Sequence, residues 1–270
     1  MSMELLHHGA LEYWVSDRLP IPHAFTTRFG GVSAGHLASL NLGVSRGDDP
    51  KNVRENYRIL GQAVGFDPLA VAGTHQVHGK AIRVVTAEDR GALWVPELGW
   101  DCDGLITNEP GIPLAVFSAD CGTVLLYDPI RQAIGAVHSG WRGTALGIAK
   151  EAVLAMEQSY GSKPEDLIAV LGPCISVCCF ETGPEVPQAM RDALGQQAEP
   201  CIRQTGPEKY HVDLKAINRL WLESCGVNAI DVCPACTACE PDRYWSYRRV
   251  GDARGSLAAI VTLPDREASK

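Results

Sequence analysis

The chain has 270 residues, 46% hydrophobic and 21% charged, with 24 Lys+Arg against 32 Asp+Glu and a net charge of −8. That length supplies one large domain or two small ones with ample apolar surface for a core. Scattered basic residues in a net acidic chain argue against a dedicated nucleic-acid binder, whose phosphate contacts need a clustered basic face.

The N-terminus is polar and acidic within a few residues and lacks a basic stretch followed by an apolar run, so no secretory signal is expected. No apolar stretch approaches the roughly 20 residues that span a bilayer. A cytoplasmic protein with mostly reduced thiols follows, although the chain has 10 cysteines. Several are grouped, as Cys174, Cys178 and Cys179, then Cys233, Cys236 and Cys239. Gly and Pro are spread as punctuation, without repeats or linkers, which predicts a single domain over residues 1–270.

In chain order, Pro50 to Gly65 reads as a helix, with Asp48 or Asp49 as cap and Val53, Tyr57, Leu60 and Val64 on one face. Ala81 to Val85 reads as a strand. Pro113 to Ala119, Thr123 to Tyr127 and Ala133 to Val137 are short runs rich in aliphatic residues and read as buried strands. Thr144 is the expected N-cap of a helix reaching about Tyr160, followed by a strand over Leu167 to Leu171. Helices are expected over Pro184 to Leu194 and Asp213 to Cys225, the second stopped by Gly226. Tyr244 to Arg248 and Leu257 to Leu263 read as closing strands. The irregular alternation predicts a mixed α/β class.

The P-loop, HExxH, GxSxG and dinucleotide-glycine motifs are all missing. Polar residues at the ends of apolar runs remain: His75 and His78 in Thr74-His-Gln-Val-His-Gly79, Asp120 and Cys121 in Ser118-Ala-Asp-Cys121, and His138 before Ser-Gly-Trp-Arg-Gly143. Strand ends in α/β proteins line ligand crevices. Spacing alone leaves three readings open. Imidazole and thiolate can hold Zn²⁺ with a fourth position free. Cys121 can be a nucleophile with His138 as its base. Or Cys121 is a small buried hydrophobe and the histidines are core residues.

The phrases Thr27-Arg-Phe-Gly-Gly-Val-Ser33, Asn41-Leu-Gly43, Gln76-Val-His-Gly79, Asp103-Gly104, Ser118-Ala-Asp-Cys121 and Val137-His-Ser-Gly-Trp-Arg-Gly143 resemble the YfiH family, also called laccase-domain or multicopper polyphenol oxidoreductase proteins. Gly172-Pro-Cys-Ile175, Cys179-Phe-Glu-Thr-Gly-Pro-Glu-Val186, Asp213-Leu-Lys-Ala-Ile-Asn218, Cys236-Thr-Ala-Cys239 and Ser246-Tyr-Arg-Arg249 continue the resemblance, which runs from about Phe25 to about Val261. It implies a four-layer α/β/β/α fold with mixed sheets. It also implies one zinc ion held by His78, Cys121 and His138, and purine nucleoside phosphorylase activity, methylthioadenosine cleavage included, with companion adenosine deamination. The older laccase label needs several coppers and many histidines. The chain has 8 His in all, so copper is poorly supported.

Within that reading the expected catalytic residues are Cys121, His138 and His78, with Asp120 as proton shuttle and Asp103 as its fallback. The Gly140-Trp-Arg-Gly143 turn offers backbone N–H groups and Arg142 to phosphate. Arg28 and Arg248 are alternative phosphate or ribose contacts. Asn41, Gln76, Asp103 and Cys174 complete the expected substrate-binding set. The partners are then a purine nucleoside and phosphate, with no nucleic acid or membrane, and the protein is a monomer or small homo-oligomer. A metal-independent cysteine hydrolase using Cys121 and His138, and a non-enzymatic zinc-binding protein, are the rivals. Cys233-Pro-Ala-Cys236-Thr-Ala-Cys239 looks like half a structural zinc site without an evident fourth ligand, so free thiols or an occasional disulfide are the expectation there.

Overall fold

The computed structural model describes residues 3–95 and 99–265. Mostly buried central strands, with more exposed strands such as Met3–His8 and Ile82–Val84 at the edges, build two large sheets. The first contains β1 (Met3–His8), β2 (Leu11–Ser16), β3 (His23–Thr26), β6 (Leu114–Ser118) and β14 (Leu257–Val261), in the order β1-β2-β3-β14-β6. All its pairings are antiparallel. The second contains β4 (Ile82–Val84), β5 (Gly104–Thr107), β7 (Gly122–Asp128), β8 (Ala133–Ser139), β9 (Ile168–Leu171) and β13 (Ala229–Val232), in the order β13-β9-β7-β8-β5-β4. It is mixed, since β13 with β9 and β4 with β5 are parallel and the rest antiparallel. A small sheet of β10 (Glu181–Thr182), β11 (Ile202–Gly206) and β12 (Lys209–Val212) stands beside them.

Apolar side chains of the two large sheets meet each other: Phe25, Leu114, Val116, Ala259 and Val261 from one, Leu105, Leu125, Tyr127, Ile134 and Val170 from the other. Each fully buried Leu, Ile, Val or Phe contributes about 1.5–3 kcal/mol by leaving water. Helix α1 (Pro50–Val64) covers the outer face of the first sheet with Val53, Tyr57 and Leu60 against Tyr13, Ala115 and Ile260. Helices α3 (Ile148–Tyr160) and α5 (Leu214–Ser224) cover the second, where Ile148, Val153, Met156 and Leu222 meet Val124, Leu126 and Val137. The result is the α/β/β/α order that the resemblance implies. Helix α4 (Glu185–Leu194) and the short α2 (Trp141–Ala145) and α6 (Tyr247–Val250) flank these layers. No helix among the described residues is long and apolar enough to cross a membrane.

Local chemistry accounts for the helix boundaries. Asp49 accepts the Lys51 N–H at 2.9 Å, Pro50 opens α1, and Gly65 at φ 92° closes it. Asp213 accepts the Ala216 N–H at 3.0 Å and caps α5. Two expectations fail. The helix expected from Thr144 is two helices, because Gly147 adopts φ 73° between α2 and α3, and the first starts at Trp141 with Gly140 as its N-cap. Tyr244 to Arg248 is not a strand. Tyr244 and Trp245 are buried side by side, and the chain turns into α6 where Asp120 accepts the Ser246 hydroxyl and the Arg248 N–H.

Candidate metal centre and its cavity

Strand pairing assembles the site. β8 runs antiparallel to both neighbours, with Gly104 opposite Val137 and Gly122 opposite Ser139, so the start of β5, the start of β7 and the end of β8 share one sheet edge. Parallel pairing of β4 with β5 brings the loop before β4 to that edge as well. Asp103, Cys121, His138 and His78 therefore converge from four places in the sequence. Donor atoms of His78, Cys121 and His138 all lie within 4.8 Å of one another, a spacing suited to one small ion. The two imidazoles stand edge to face with centroids 4.9 Å apart.

Asp103 organises this group. It is fully buried, and its Oδ1 accepts from His138 Nδ1 at 2.8 Å, so Nε2 is the nitrogen left to bind an ion. The same carboxylate accepts the backbone N–H groups of Val77 at 3.2 Å, His78 at 3.0 Å and Gly79 at 2.8 Å. These bonds hold His78 at φ 60°, a conformation costing a non-glycine residue about 1–3 kcal/mol. Burial opposes the His138 imidazolium, but the Cys121 sulfur and the Asp103 carboxylate outweigh it and raise the ring to about 9. His78 is pushed below its ordinary value by burial first and by His138 next. A slot that favours positive charge between the Cys121 sulfur and a carboxylate-held imidazole suits a cation.

Gly140 closes the cradle. A β-carbon there would lie 2.6 Å from His78 Nδ1 and 3.3 Å from Cys121 Sγ, so only glycine lets the backbone pass this close. The donor set fits one ion with three protein ligands and an open position, as in catalytic zinc sites. It does not extend to the several neighbouring centres that multicopper oxidation needs.

The triad lies at the wall of a cavity of about 470 Å³. Four arginines line it: Arg46, Arg142, Arg248 and Arg254. Arg46, Arg142 and Arg254 have no carboxylate partner among the described residues. Arg254 Nε is buried without a hydrogen-bond partner among the described residues, and desolvation, then the Arg46 charge, lower its pKa. A positive cavity in a net acidic protein concentrates anions. Phe117, Trp141, Phe180 and Tyr247 supply apolar wall.

Of the expected residues, His78, Cys121, His138, Gln76, Asp120, Arg142 and Arg248 line this cavity. Gln76 does so with its amide spent on Phe117, donating to the carbonyl at 2.7 Å and accepting the N–H at 2.6 Å. Asp120, the expected proton shuttle, is held by three hydrogen bonds at the cavity wall. Its carboxylate accepts from Thr237 Oγ1 at 2.6 Å, Ser246 Oγ at 3.0 Å and the Arg248 N–H at 2.7 Å, which holds it at φ 89° and anchors the Arg248 segment. Asp103 bonds to the His138 ring and to backbone N–H groups and is not among the residues lining the cavity. Asn41 is fully buried and bonded to Gly43, Asp48 and Ser256. Arg28 stacks 3.7 Å over the Trp245 ring and donates to Ala38 and Pro241, outside the cavity. Cys174 is buried beneath the site, with burial driving its thiol up to about 12. His75 pairs with Asp101 at the surface and takes no part in the triad.

Sequence reading missed Arg46 and Arg254. A signal existed, since each sits in a glycine-flanked loop, Gly43-Val-Ser-Arg-Gly47 and Gly251-Asp-Ala-Arg-Gly255, as Arg142 does.

An α/β/β/α scaffold thus carries a His–Cys–His donor set that could hold a metal ion, beside an arginine-lined cavity. Residues 22–264 match the family described as multi-copper polyphenol oxidoreductase laccase, and the chain belongs to that family. It is 41% identical over 253 residues to the "Purine nucleoside phosphorylase" of Deinococcus radiodurans, covering 93% of each chain. It is 37% identical over 244 residues to "Purine nucleoside phosphorylase YlmD" of Geobacillus stearothermophilus, covering 87% of this chain and 88% of the relative. The crystal structure of YfiH from Bacillus licheniformis superposes with TM-score 0.90 at 31% identity, covering 96% of this chain and 98% of that one. YlmD from Geobacillus stearothermophilus also superposes with TM-score 0.90, at 33% identity and with 97% and 99% covered.

Proposed function

We propose that this protein is a purine nucleoside phosphorylase with one zinc ion on His78, Cys121 and His138, acting on adenosine, inosine, guanosine and methylthioadenosine. One observation carries the reading: the triad and the carboxylate-free arginines Arg46, Arg142 and Arg254 share one cavity. Relatives named for that activity support it. The cavity volume is in the range that holds a nucleoside-sized ligand.

Phosphorolysis forms a bond from a phosphate oxygen to the ribose C1′ while the C1′–N9 bond breaks and the departing base takes a proton. The arginines bind and orient the phosphate by charge-assisted hydrogen bonds. Phe117, Phe180 and Tyr247 offer apolar faces to the purine. Arg248 is less free, because it donates to the carbonyls of Cys179 and Glu181 at 2.9 Å each, and it shapes the rim. A bound zinc ion would supply Lewis-acid polarisation and an open coordination position.

That open position also supports adenosine deamination as a companion activity. With Asp120 committed to three hydrogen bonds and its fallback Asp103 to four, neither expected shuttle is free, so phosphorolysis leads. The Asp103–His138–Cys121 order also fits a metal-independent cysteine hydrolase. His78, a third donor at the same point, favours the metal.

The test is to purify the protein without added metal, measure bound zinc, and incubate it with each nucleoside with and without phosphate. Phosphate-dependent release of free base that disappears in Cys121→Ala, together with zinc lost from that site, supports the proposal. Turnover in zinc-free protein assigns the site to cysteine chemistry. Zinc without turnover leaves a binding protein. Phosphate-independent inosine formation alone makes deamination the activity.

A further inference from the structure

Four cysteines from two distant segments form a second group, separate from the triad. The sulfurs of Cys178, Cys179, Cys236 and Cys239 all lie within 4.8 Å of one another. Cys178 and Cys179 stand 3.5 and 3.4 Å from Cys239. A regular tetrahedron of sulfurs about 2.3 Å from zinc has edges of ~3.8 Å. Sequence spacing pointed instead to Cys233 as companion of Cys236 and Cys239. Cys233 is fully buried and packs against Tyr244 and Trp245, outside the group. The missing ligands come from 178 and 179, which only the fold brings near.

Each half of the group is a tight turn. Cys178 and Cys179 lie in a turn closed by Cys179 N–H and Phe180 N–H donating to Ser176 O at 2.9 and 3.0 Å. Cys236 and Cys239 flank a turn closed by Cys239 N–H donating to Cys236 O at 3.1 Å. A bridge between Cys174 and Cys236 joins the two, with Thr237 N–H donating to Cys174 O at 3.2 Å. Ser176 N–H also donates to Cys236 Sγ at 3.3 Å, the amide-to-sulfur contact that steadies a metal-bound thiolate. Arg248 and Arg249 dock on carbonyls inside the turns, at Cys179 (2.9 Å) and Ala238 (2.6 Å). These two cations offset the charge that four thiolates leave on a divalent ion.

We propose that Cys178, Cys179, Cys236 and Cys239 bind a second, structural zinc ion that ties two walls of the cavity together. One wall is the segment carrying Ile175 and Phe180, and the other leads through Thr237 to Tyr247 and Arg248. Four thiolates complete the tetrahedron and leave no open position, so this ion orders the wall and takes no part in turnover. Thr237, inside the Cys236 turn, also donates to Asp120 next to Cys121, which links the clamp to the triad's strand end.

The decisive sample is the His78→Ala/Cys121→Ser variant, which keeps all four cysteines and loses two of the triad's three donors. The expected result is about one equivalent of tightly held zinc by elemental analysis and native mass spectrometry. Cobalt exchanged into that variant should show the intense sulfur-to-cobalt charge transfer and the d–d bands of a tetrahedral thiolate site. Adding Cys178→Ser and Cys239→Ser should abolish both signals. A metal-free His78→Ala/Cys121→Ser variant overturns the proposal, whether its four thiols alkylate freely or a two-dalton mass deficit reveals a disulfide. This reading does not depend on the bound metal or activity at the triad, because zinc at each site is counted in a different variant.

Discussion

Asp103 Oδ1 accepts the His138 Nδ1 proton over 2.8 Å, and both residues are buried. Its four hydrogen bonds fix one triad imidazole through the ring and the other through its backbone. Asp103→Asn keeps the shape but removes the charge, and its amide donor opposes N–H groups. Zinc affinity at the triad should fall about 10- to 100-fold, with nucleoside turnover following occupancy. Chelator competition on the purified variant measures it, and unchanged affinity would show that the carboxylate is dispensable.

Gly140→Ala separates crowding from backbone conformation. Gly140 has φ −63° and ψ 165°, which alanine adopts freely, so any defect comes from the β-carbon meeting His78 and Cys121. The variant should fold with an unchanged far-ultraviolet circular dichroism spectrum yet lose zinc from the triad and most of its activity. Full zinc occupancy at that site would refute the close approach.

Arg254→Met should improve stability while damaging function. The arginine is half-buried, lacks an ionic partner among the described residues and faces the Arg46 charge, so replacing it relieves desolvation and repulsion. The melting temperature without anions should rise by a few degrees. The KM for phosphate should rise about 10- to 100-fold, matching the roughly 1.5–3 kcal/mol of a charge-assisted hydrogen bond. Phosphate should stabilise the wild type more than the variant. A lower melting temperature with unaltered KM would place the phosphate elsewhere.

Spacing left the triad as one of three readings and the resemblance named its members, because Cys121 between β6 and β7, His138 near the end of β8 and His78 in the loop before β4 are far apart in sequence and meet only in the fold. Asp103 was legible as important but not in its role. An acid at a strand start reads alike whether it meets substrate or a histidine. Arg46 and Arg254 reach one cavity only because the strand after Arg254 lies beside β3 and β6, a pairing that local periodicity does not encode. The Tyr244 to Arg248 segment shows the converse. Alternating aromatic and polar residues mimic a strand, but hydrogen bonds to Asp120 bend it into a turn.

His23 supplies an acid-sensitive latch between strands. Its Nε2 accepts the Ser16 N–H and its Nδ1 donates to Ile21 O, each at 2.8 Å, so the ring is neutral. Burial pushes its pKa below 6.5, with the Ile21 bond opposing less strongly. The unfolded chain therefore takes up this proton first. Stability is full above the ordinary value and declines as pH falls from there through the lowered folded value. Melting temperature should drop more for the wild type than for His23→Gln between about pH 7 and pH 5. Parallel curves would remove His23 from the acid limb.

The strand Leu257–Val261 occupies an interior place in the first sheet, hydrogen-bonded to Phe25 and its neighbours on one side and to Val116 and its neighbours on the other. A ribosome must therefore release the chain through residue 261 before the N-terminal strands gain their central partner. Arg254 and Ser256 line the cavity and arrive immediately ahead of that strand. A nascent chain acquires its anion-binding wall in the same step that completes its sheet, so prematurely terminated copies lack both.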